Sequence, residues 1–408
     1  MLTKNEAHNL KLDLTRNLCK DSFYFFVKTF WTLADGTTFK DNWHIKYICD
    51  TLQSVYDGKS QNVFICVPPG SAKSMIVSVM YPVWVWIKDP SQSFLSTGHT
   101  MSLNTQFCTK SLRFMLMDEF QEYFPDIHID PHEKAKGSYR NLDGGFRQAA
   151  SFTSLTGKRA NYVLVDDPIT VNDAKNSKTE RDNVNDIFLN ALQSRLNDPE
   201  KDHIIVIAQR THVNDIVGII QEHNMKYDGV VIPMEYSGNK IISEKLNLID
   251  PRDIMGELMF PNRFSKEVVD NYKSTMLNTD YATQYQQTPL SNDGNFFDIT
   301  KLNKWSSLPT NMNVYISTDN AITGNGDYNA ISVWGIDDKS NYYLIDYFHE
   351  KCQLLDTLGL DENNNLKNKG LLPFIKKYHP IALFPENDNA YKSIESIIKK
   401  MMIEHKII

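Results

Sequence analysis

The sequence has 408 residues, of which 41% are hydrophobic and 23% charged, the composition of a globular protein long enough to form two domains. Its formal net charge of −7 excludes a basic field over the whole surface, so any DNA contact must come from local lysine and arginine patches. The five cysteines are scattered and never spaced as C-x-x-C, which argues against a structural zinc and favours a reducing compartment. The N-terminus lacks the apolar core of a signal peptide, and no apolar run is long enough to span a bilayer. We therefore expect a cytoplasmic protein without membrane contact.

The first 60 residues predict helices. Five aromatic side chains form an apolar face on one of them: Phe23, Tyr24, Phe25, Phe26 and Phe30. Another helix begins at Trp43 and His44. An aromatic residue just upstream of a phosphate-binding loop can pack on an adenine, although such residues more often belong to the core, so both interpretations of this pair stay open.

The stretch 62–78, NVFICVPPGSAKSMIVS, predicts a buried strand, a tight loop and an apolar helix. In the pattern G-x-x-x-x-G-K-[ST], Val67 takes the first glycine position and Ala72 the second. Loop amides would face the phosphates of ATP, Lys73 would meet the β/γ oxygens, and the Ser74 hydroxyl would hold Mg²⁺. The predicted ATP-binding residues are Pro69, Gly70, Ser71, Ala72, Lys73 and Ser74. A plain surface loop is the alternative interpretation.

A second motif, NYVLVDDP at 161–168, ends in two acids and predicts a buried strand whose C-terminal tip opens onto a site. Asp166 would bind Mg²⁺, and Asp167 would orient or deprotonate the attacking water. The alternative is a strand that simply ends in an Asp-Asp-Pro turn. Just upstream, Arg159 is a candidate arginine finger, acting in its own subunit or in a neighbouring one. Contact with DNA phosphate or with water is an equally good interpretation of this arginine.

The rest of the N-terminal half alternates strands with helices, which predicts a doubly wound α/β sheet. Residues 126–150 have loop composition. His203–Ala208 is a further buried strand, and the polar tip that follows it, Gln209–His212, could sense the γ-phosphate. We assign 1–235 to this domain and the proline-rich, polar stretch 236–296 to a linker or hinge.

The remaining residues, 297–408, predict a second α/β unit. Asn313–Asp319 is a strand that ends in a carboxylate, and Ile381–Asn387 contains a strand that ends at Glu386. The short connections between the strands from 313 to 348 predict antiparallel pairing. Two carboxylates at separate strand tips are what a two-metal nuclease needs, so Asp319 and Glu386 are the predicted catalytic metal ligands, with Asp327 and Asp346 as lesser candidates. Solvated surface acids are the alternative.

Taken together, these motifs resemble the large terminase subunit of tailed bacteriophages, over most of the chain. The resemblance rests on PPGSAKS at 68–74, TGKRANYVLVDDP at 156–168, IVIAQRTHVND at 205–215, RFS at 263–265, YQQTP at 285–289 and STDNA at 317–321. The family implies an ASCE-type P-loop ATPase domain followed by an RNase H-like nuclease domain.

The resemblance also implies partners and roles. ATP hydrolysis would drive double-stranded DNA into a procapsid, and the nuclease, with Mg²⁺ or Mn²⁺, would cut concatemers. Expected partners are DNA, the portal protein, the small terminase subunit and further copies of the chain in a ring, in the cytoplasm of the bacterial host. By position, Lys73 and Ser74 match Walker A, Asp166 and Asp167 match Walker B, and Arg159 matches a finger. Asp319 and Glu386 match the first two nuclease acids.

One departure concerns the nuclease. The family has a third acid after the last helix, and no such segment follows residue 386 here, so we expect an incomplete nuclease or a split gene. An inactive prophage remnant that only binds other molecules and a helicase-like remodelling ATPase are the alternative functions. Local DNA contacts are expected from Lys158, Arg159, Arg210 and Lys301.

Overall fold

The structure is a computed structural model that describes residues 3–155, 157–289, 303, 305–319, 328–385 and 389–407, with the backbone alone described for 389–394. The chain forms two compact units, Met1–Phe297 and Asp298–Ile408. None of the helices described combines the length and the apolar character that crossing a membrane requires.

The first unit is a mixed α/β unit. Its helices are α1 (Lys4–Asp21), α2 (Phe23–Asp35), α3 (Trp43–Tyr56), α4 (Tyr81–Lys88), α5 (Met101–Met115), α6 (Asp118–Tyr123), α7 (Val171–Asn176), α8 (Lys178–Asp186), α9 (Ile216–Glu222), α10 (Lys266–Thr275) and α11 (Asn278–Gln284). Its strands are β1 (Val63–Cys66), β2 (Phe94–Gly98), β3 (Ile129–Ala135), β4 (Ser138–Asn141), β5 (Phe146–Ser151), β6 (Tyr162–Asp166), β7 (His203–Ala208), β8 (Asp228–Val231), β9 (Ile241–Ser243) and β10 (Leu248–Ile249). Short π-helical segments cover Met75–Met80 and Ile187–Ala191, and 3₁₀ turns cover Phe152–Ser154 and Leu192–Arg195.

An eight-stranded sheet organises this unit, in the order β3-β4-β5-β2-β6-β7-β1-β8. The strands from β5 to β8 in that order are all parallel, so their C-terminal ends share one edge. Strand β7 lies between β1 and β6. The predicted doubly wound α/β fold is therefore confirmed, and the uninterrupted apolar strands follow from burial of the sheet on both faces.

Alternation along the strands divides the apolar side chains between two cores. Val63 and Ile65 face the core that contains α2–α5, whereas Phe64 and Cys66 face the core that contains α9. The same period of two places Asp166 on the face of Leu164, which is the face covered by the helix after the phosphate loop. Strand periodicity thus decides which way the first acid of the Asp-Asp pair points.

The prediction of a loop at 126–150 is wrong, because β3, β4 and β5 occupy most of it. β4 pairs antiparallel with both of its neighbours at the edge of the sheet. Its side chains alternate between exposed and buried, with Tyr139 and Asn141 inside. The composition of β4 is polar because the strand keeps one of its two rows of side chains in water.

The stretch 236–296 is interpreted from its composition as a linker or hinge, but its residues 236–288 belong to the first unit and pack against the rest of it. Its buried side chains include Met259, Phe260, Phe264, Val269 and Tyr281. Its polar groups bond to the body of the unit: Gln287 Oε1 accepts from the backbone N–H of Arg210 at 2.9 Å, and Arg252 Nη1 donates to the carbonyls of Pro233 and Met234 at 3.1 Å. The turn cluster at 291–295 lies outside the described residues.

The second unit contains β11 (Asn313–Asp319), β12 (Asn329–Ile336), β13 (Tyr342–Glu350) and β14 (Ala382–Pro385), with α12 (Leu354–Leu358), α13 (Leu371–Tyr378) and α14 (Asn389–Glu404). The sheet order is β13-β12-β11-β14. β11, β12 and β13 are antiparallel, as predicted, and β14 runs parallel to β11. The core of the unit includes Ile316, Val333, Leu372 and Phe374.

Candidate active site

The loop after β1 has a backbone suited to close approach of a ligand. Gly70 has a φ of 77° and Ala72 a φ of 66°. A Cβ atom on Gly70 would also lie 3.1 Å from Phe264 Cζ, so glycine is needed at this position. Ala72 holds the left-handed conformation without being glycine, at a cost of roughly 1 kcal/mol. Ala72, at the second glycine position of the pattern, therefore has a backbone conformation that glycine favours.

Two side chains of this loop meet the two acids at the end of β6. Lys73 Nζ lies 2.9 Å from Asp167 Oδ1, and Ser74 Oγ donates to Asp166 Oδ1 at 3.1 Å. Because β7 lies between β1 and β6, the two strands are roughly 10 Å apart, a gap that the long lysine side chain crosses. The predicted phosphate loop and the predicted Asp-Asp pair therefore form one site, which the surface-loop and simple-turn alternatives do not explain.

Asp166 is the buried member of the acid pair. It is 3% exposed, and its other oxygen, Oδ2, accepts a hydrogen bond from Ser78 Oγ at 2.7 Å. Burial raises the pKa of the Asp166 carboxyl, and the neighbouring Asp167 raises it further, while Lys73 and the two serine hydroxyls act in the opposite direction. The Ser74 hydroxyl and the Asp166 carboxylate are hard oxygen donors on one side of the loop. They fit Mg²⁺, which binds through one or two carboxylates together with substrate phosphates.

Asp167 is the open member of the pair, with a third of its side chain exposed. Its backbone has a φ of 42°, in the left-handed region where aspartate is one of the more tolerated residues. Asp167 Oδ1 accepts hydrogen bonds from Lys73 and from the backbone N–H of Gln209, the latter at 3.2 Å. The backbone carbonyl of Asp167 accepts from the N–H of His99 at 3.1 Å. Asp167 is thus fixed in direction while its carboxylate remains accessible to water.

The tip of β7 connects this site to the stretch 236–288. The N–H of Gln209 contacts Asp167, and the N–H of the next residue, Arg210, donates to Gln287. The Arg210 guanidinium is buried and paired with Asp215 at 3.0 Å. The prediction that Arg210 contacts DNA is therefore wrong, since its charge is already neutralised inside the protein.

Arg159 lies at the opposite edge of the sheet from Lys73. It precedes the start of β6, and the five residues of that strand span about 15 Å before Asp166 is reached. The structure therefore does not bring Arg159 to the phosphate loop of its own chain. Arg159 instead lines a groove of about 490 Å³ together with Lys134, Arg140 and Lys158.

The acids predicted for the second unit are not brought together among the described residues. Asp319 ends β11 with an exposed side chain. Asp346 accepts a hydrogen bond from Tyr378 at 2.7 Å and lies 3.5 Å from Lys377 Nζ; burial opposes the shift, but these contacts hold the pKa of Asp346 below its ordinary value. Glu386, Asp327 and Lys301 lie outside the described residues. Within the described ranges, no group of three or more acid, histidine or cysteine side chains could hold a metal ion.

Trp43 and His44 have packing roles. His44 is fully buried, with its ring centroid 4.9 Å from that of Phe260, and the Arg252 guanidinium lies over the Trp43 ring at 5.3 Å. Burial lowers the pKa of His44 to about 4. These contacts favour the core interpretation over contact with an adenine.

Sequence reasoning missed two residues near the loop. Ser78 lies four positions after Ser74 and therefore on the same helical face, a spacing that could have identified it. Arg263 belongs to the RFS motif at 263–265, but it lies almost two hundred positions from Gly70, so no local pattern predicted that the two residues lie side by side.

Comparisons with known proteins give the following results. No protein-family model matches the chain, and no curated protein is similar to it. Among solved structures, it is similar to the large terminase of bacteriophage HK97, with a TM-score of 0.41 and 12% identity over 91% of this chain and 74% of that one. It is also similar to the large terminase of the thermophilic bacteriophage D6E in complex with ADP, with a TM-score of 0.37 and 11% identity over 87% of this chain and 86% of that one.

A third similar structure is the N-terminal domain of the DNA-packaging ATPase from bacteriophage phi29, with a TM-score of 0.27 and 15% identity over 43% of this chain and 84% of that one. These three similar structures are all of phage DNA-packaging proteins.

Proposed function

We propose that the chain is an ATP-hydrolysing DNA-packaging motor subunit, the large terminase subunit of a tailed bacteriophage or prophage. One observation carries the proposal: Lys73 and Ser74 of the loop after β1 contact Asp167 and Asp166 at the tip of β6. This arrangement places a lysine, a hydroxyl and two carboxylates with different exposure at one sheet edge. These are the groups that position a triphosphate and its Mg²⁺ for attack by water.

The chemistry of the site follows from the contacts of Lys73. Phosphate oxygens would compete with Asp167 for the Lys73 ammonium, and the exchange would free Asp167 Oδ1 to accept a proton from a water molecule. The water oxygen would form a bond to the γ-phosphorus as the bond from that phosphorus to the β–γ bridging oxygen breaks. Mg²⁺ held by Ser74 and Asp166 would neutralise charge on the β and γ oxygens when bound.

Hydrogen bonds connect this site to the stretch 236–288 of the first unit. Asp167 contacts the backbone of Gln209, and the next residue contacts Gln287 in the YQQTP motif. A change in the position or hydrogen bonding of Asp167 would therefore alter the contacts of the stretch 236–288, which precedes the second unit in the chain. We infer that this connection couples hydrolysis to movement of DNA.

The groove that contains Arg159 is the best candidate for a DNA contact in the first unit. Four basic side chains line it, those of Lys134, Arg140, Lys158 and Arg159. Glu133 is the one acid among the described lining residues, and it pairs with Arg140 at 2.6 Å. In a chain with a net charge of −7, such a local excess of positive charge suits a phosphate backbone. Action of Arg159 as a finger toward a neighbouring subunit is the second role that this position supports.

For the second unit we propose an RNase H-like nuclease in which Asp319 and Glu386 hold Mg²⁺ or Mn²⁺. Its mixed sheet, with β14 parallel to β11 beside two antiparallel strands, supports this assignment. Portal protein, small terminase subunit and a ring of identical subunits are the proposed partners. An inactive prophage remnant and a helicase-like ATPase remain the competing functions.

The test is ATP hydrolysis by the purified full chain, with Mg²⁺ and with double-stranded DNA. Lys73→Ala should lower the rate at least about 100-fold, the scale for removing one charged contact to a reacting group. Lys59→Ala is the matched control, because Lys59 is an exposed lysine outside the site, and it should leave the rate unchanged. Chelation of Mg²⁺ should abolish hydrolysis. A wild-type chain that neither binds nor hydrolyses ATP with DNA and a portal present would end the proposal, and strong strand separation would favour the helicase alternative.

A further inference from the structure

An exposed arginine lies directly beside the phosphate loop. The Nε and Nη2 atoms of Arg263 are each 3.5 Å from the position that a Cβ atom on Gly70 would take. The guanidinium therefore covers the one loop residue that has no side chain. Gly70 belongs to the turn whose amides are expected to face the phosphates, so a positive charge at this distance lies next to the predicted nucleotide.

The turn that carries Arg263 is held in place by buried aromatic rings. The N–H groups of Arg263 and Phe264 both donate to the carbonyl of Phe260, at 3.0 and 2.9 Å. Phe260 and Phe264 are buried, and Phe260 packs on His44 of α3. Since the anchors on either side are fixed in the core, the position of the arginine between them follows from packing and not from chance contact at the surface.

The guanidinium has no ion-pair or hydrogen-bond partner among the residues that the structure describes. It lies over the Phe264 ring, at 5.7 Å from the centroid, and its charge also acts on the Asp35 carboxylate. A nearby acid, Asp35, is already bonded to Lys110 Nζ at 2.9 Å. The five N–H donors of Arg263 are thus available on the side of the protein where the loop would hold a highly charged anion.

We propose that Arg263 is a phosphate-binding residue of the nucleotide site, which donates to phosphate oxygens of ATP from outside the loop while Lys73 donates from within. The inference rests on the proposed function, and it assigns a role in the same subunit to an arginine other than Arg159, which lies at the far edge of the sheet. It also makes the stretch 236–288 part of the ATP site, because Arg263 belongs to it. Nucleotide binding would then fasten this stretch to the phosphate loop.

The experiment is direct measurement of ATP affinity for the full chain, by calorimetry, without turnover. A charge-assisted hydrogen bond contributes about 1.5–3 kcal/mol, so Arg263→Ala should weaken ATP binding roughly 10- to 100-fold. Arg263→Lys keeps the charge but loses the planar set of N–H donors, so its ATP affinity should lie between those of the wild type and Arg263→Ala. Lys266→Ala is the matched control: it removes one positive charge three residues away, where Lys266 is exposed and faces only Asp270 at 3.5 Å.

The outcomes separate this inference from the proposed function. If Arg263→Ala binds ATP as tightly as Lys266→Ala does, the phosphate role of Arg263 is wrong while the ATPase proposal stands. If the wild-type chain binds no ATP, both are wrong. Because Arg263 is exposed, its substitution should leave the thermal midpoint unchanged, and a weakened affinity that comes with a lowered midpoint in Arg263→Ala and Arg263→Lys alike would show a packing role instead.

Discussion

The strand tips of the two units carry the same kind of residue in opposite surroundings. At the tip of β6, Asp166 is buried under two serine hydroxyls and Asp167 is paired with Lys73. At the tip of β11, Asp319 is exposed, and none of the described residues pairs with it. Both segments, β6 and β11, have the sequence of a strand that ends in an acid. Among the described residues, only the acids at the end of β6 contact other functional groups.

The difference shows what identifies a functional carboxylate. A strand that ends in Asp is common, because the end of a buried strand is where the chain returns to water. What distinguishes Asp166 and Asp167 is the arrival of Lys73 and Ser74 from a loop more than ninety positions earlier. In the proposed function, burial of one acid beside an accessible one would divide the tasks, with the buried acid binding a metal ion and the accessible acid accepting a proton.

The largest expected effect is at the open acid. Asp167→Asn keeps the shape of the side chain but removes the proton acceptor, so ATP hydrolysis should fall by about 100-fold or more, within the range for general acid–base residues, while ATP still binds. Single-turnover kinetics together with equilibrium binding would separate the two effects. Hydrolysis at the wild-type rate would contradict the division of tasks between the two acids.

A second comparison between the units concerns stability in acid: His44 of the first unit is fully buried, whereas His349 of the second unit is exposed. The pKa of His44, about 4 in the folded protein, lies below the value of about 6.5 expected when unfolded, so the unfolded state takes up the proton first as the pH falls. The contribution of neutral His44 is complete above pH 6.5 and is lost as the pH falls toward 4. Between pH 7.5 and pH 5 the free energy of unfolding should drop by about 2 kcal/mol from this group alone.

Denaturant unfolding of His44→Phe at both pH values checks this expectation. The variant should lose about 2 kcal/mol less than the wild type on acidification, whereas the exposed His349→Phe should behave like the wild type. Equal losses in wild type and His44→Phe would mean that His44 is protonated in the folded state.

The smallest expected effect is at the exposed acid. Asp319→Asn should change neither the rate of ATP hydrolysis nor the free energy of unfolding by more than about 0.5 kcal/mol, because the side chain contacts no described partner. If the proposed nuclease is active, the same variant should lose metal-dependent DNA cleavage. A fall in ATP hydrolysis for Asp319→Asn would show that the two strand tips are not independent.

Local sequence was sufficient for the phosphate loop and for the parallel sheet. Continuous apolar runs predicted β1, β6 and β7, and the residues between β1 and the helix predicted the loop, since strand burial and turn chemistry are decided by near neighbours. The strands β3, β4 and β5 at 129–151 were missed, because they are short and mostly polar and because glycines lie in the turns between them, so the segment has the composition of a loop. The packing of 236–288 was missed for a related reason: its few buried side chains are spaced irregularly among polar ones.

By itself, then, the sequence determined the α/β class, the loop that ends in Lys73 and Ser74, and the acids at 166 and 167, because each depends on residues adjacent in the chain. Tertiary structure alone decided that Arg159 is not brought to the phosphate loop of its own chain, that Arg210 is buried and paired with Asp215, that Ser78 contacts Asp166 and that Arg263 lies beside Gly70. These outcomes depend on which distant segments the two cores bring together. Such contacts carry no periodic signal along the chain, since packing and charge pairing act through space.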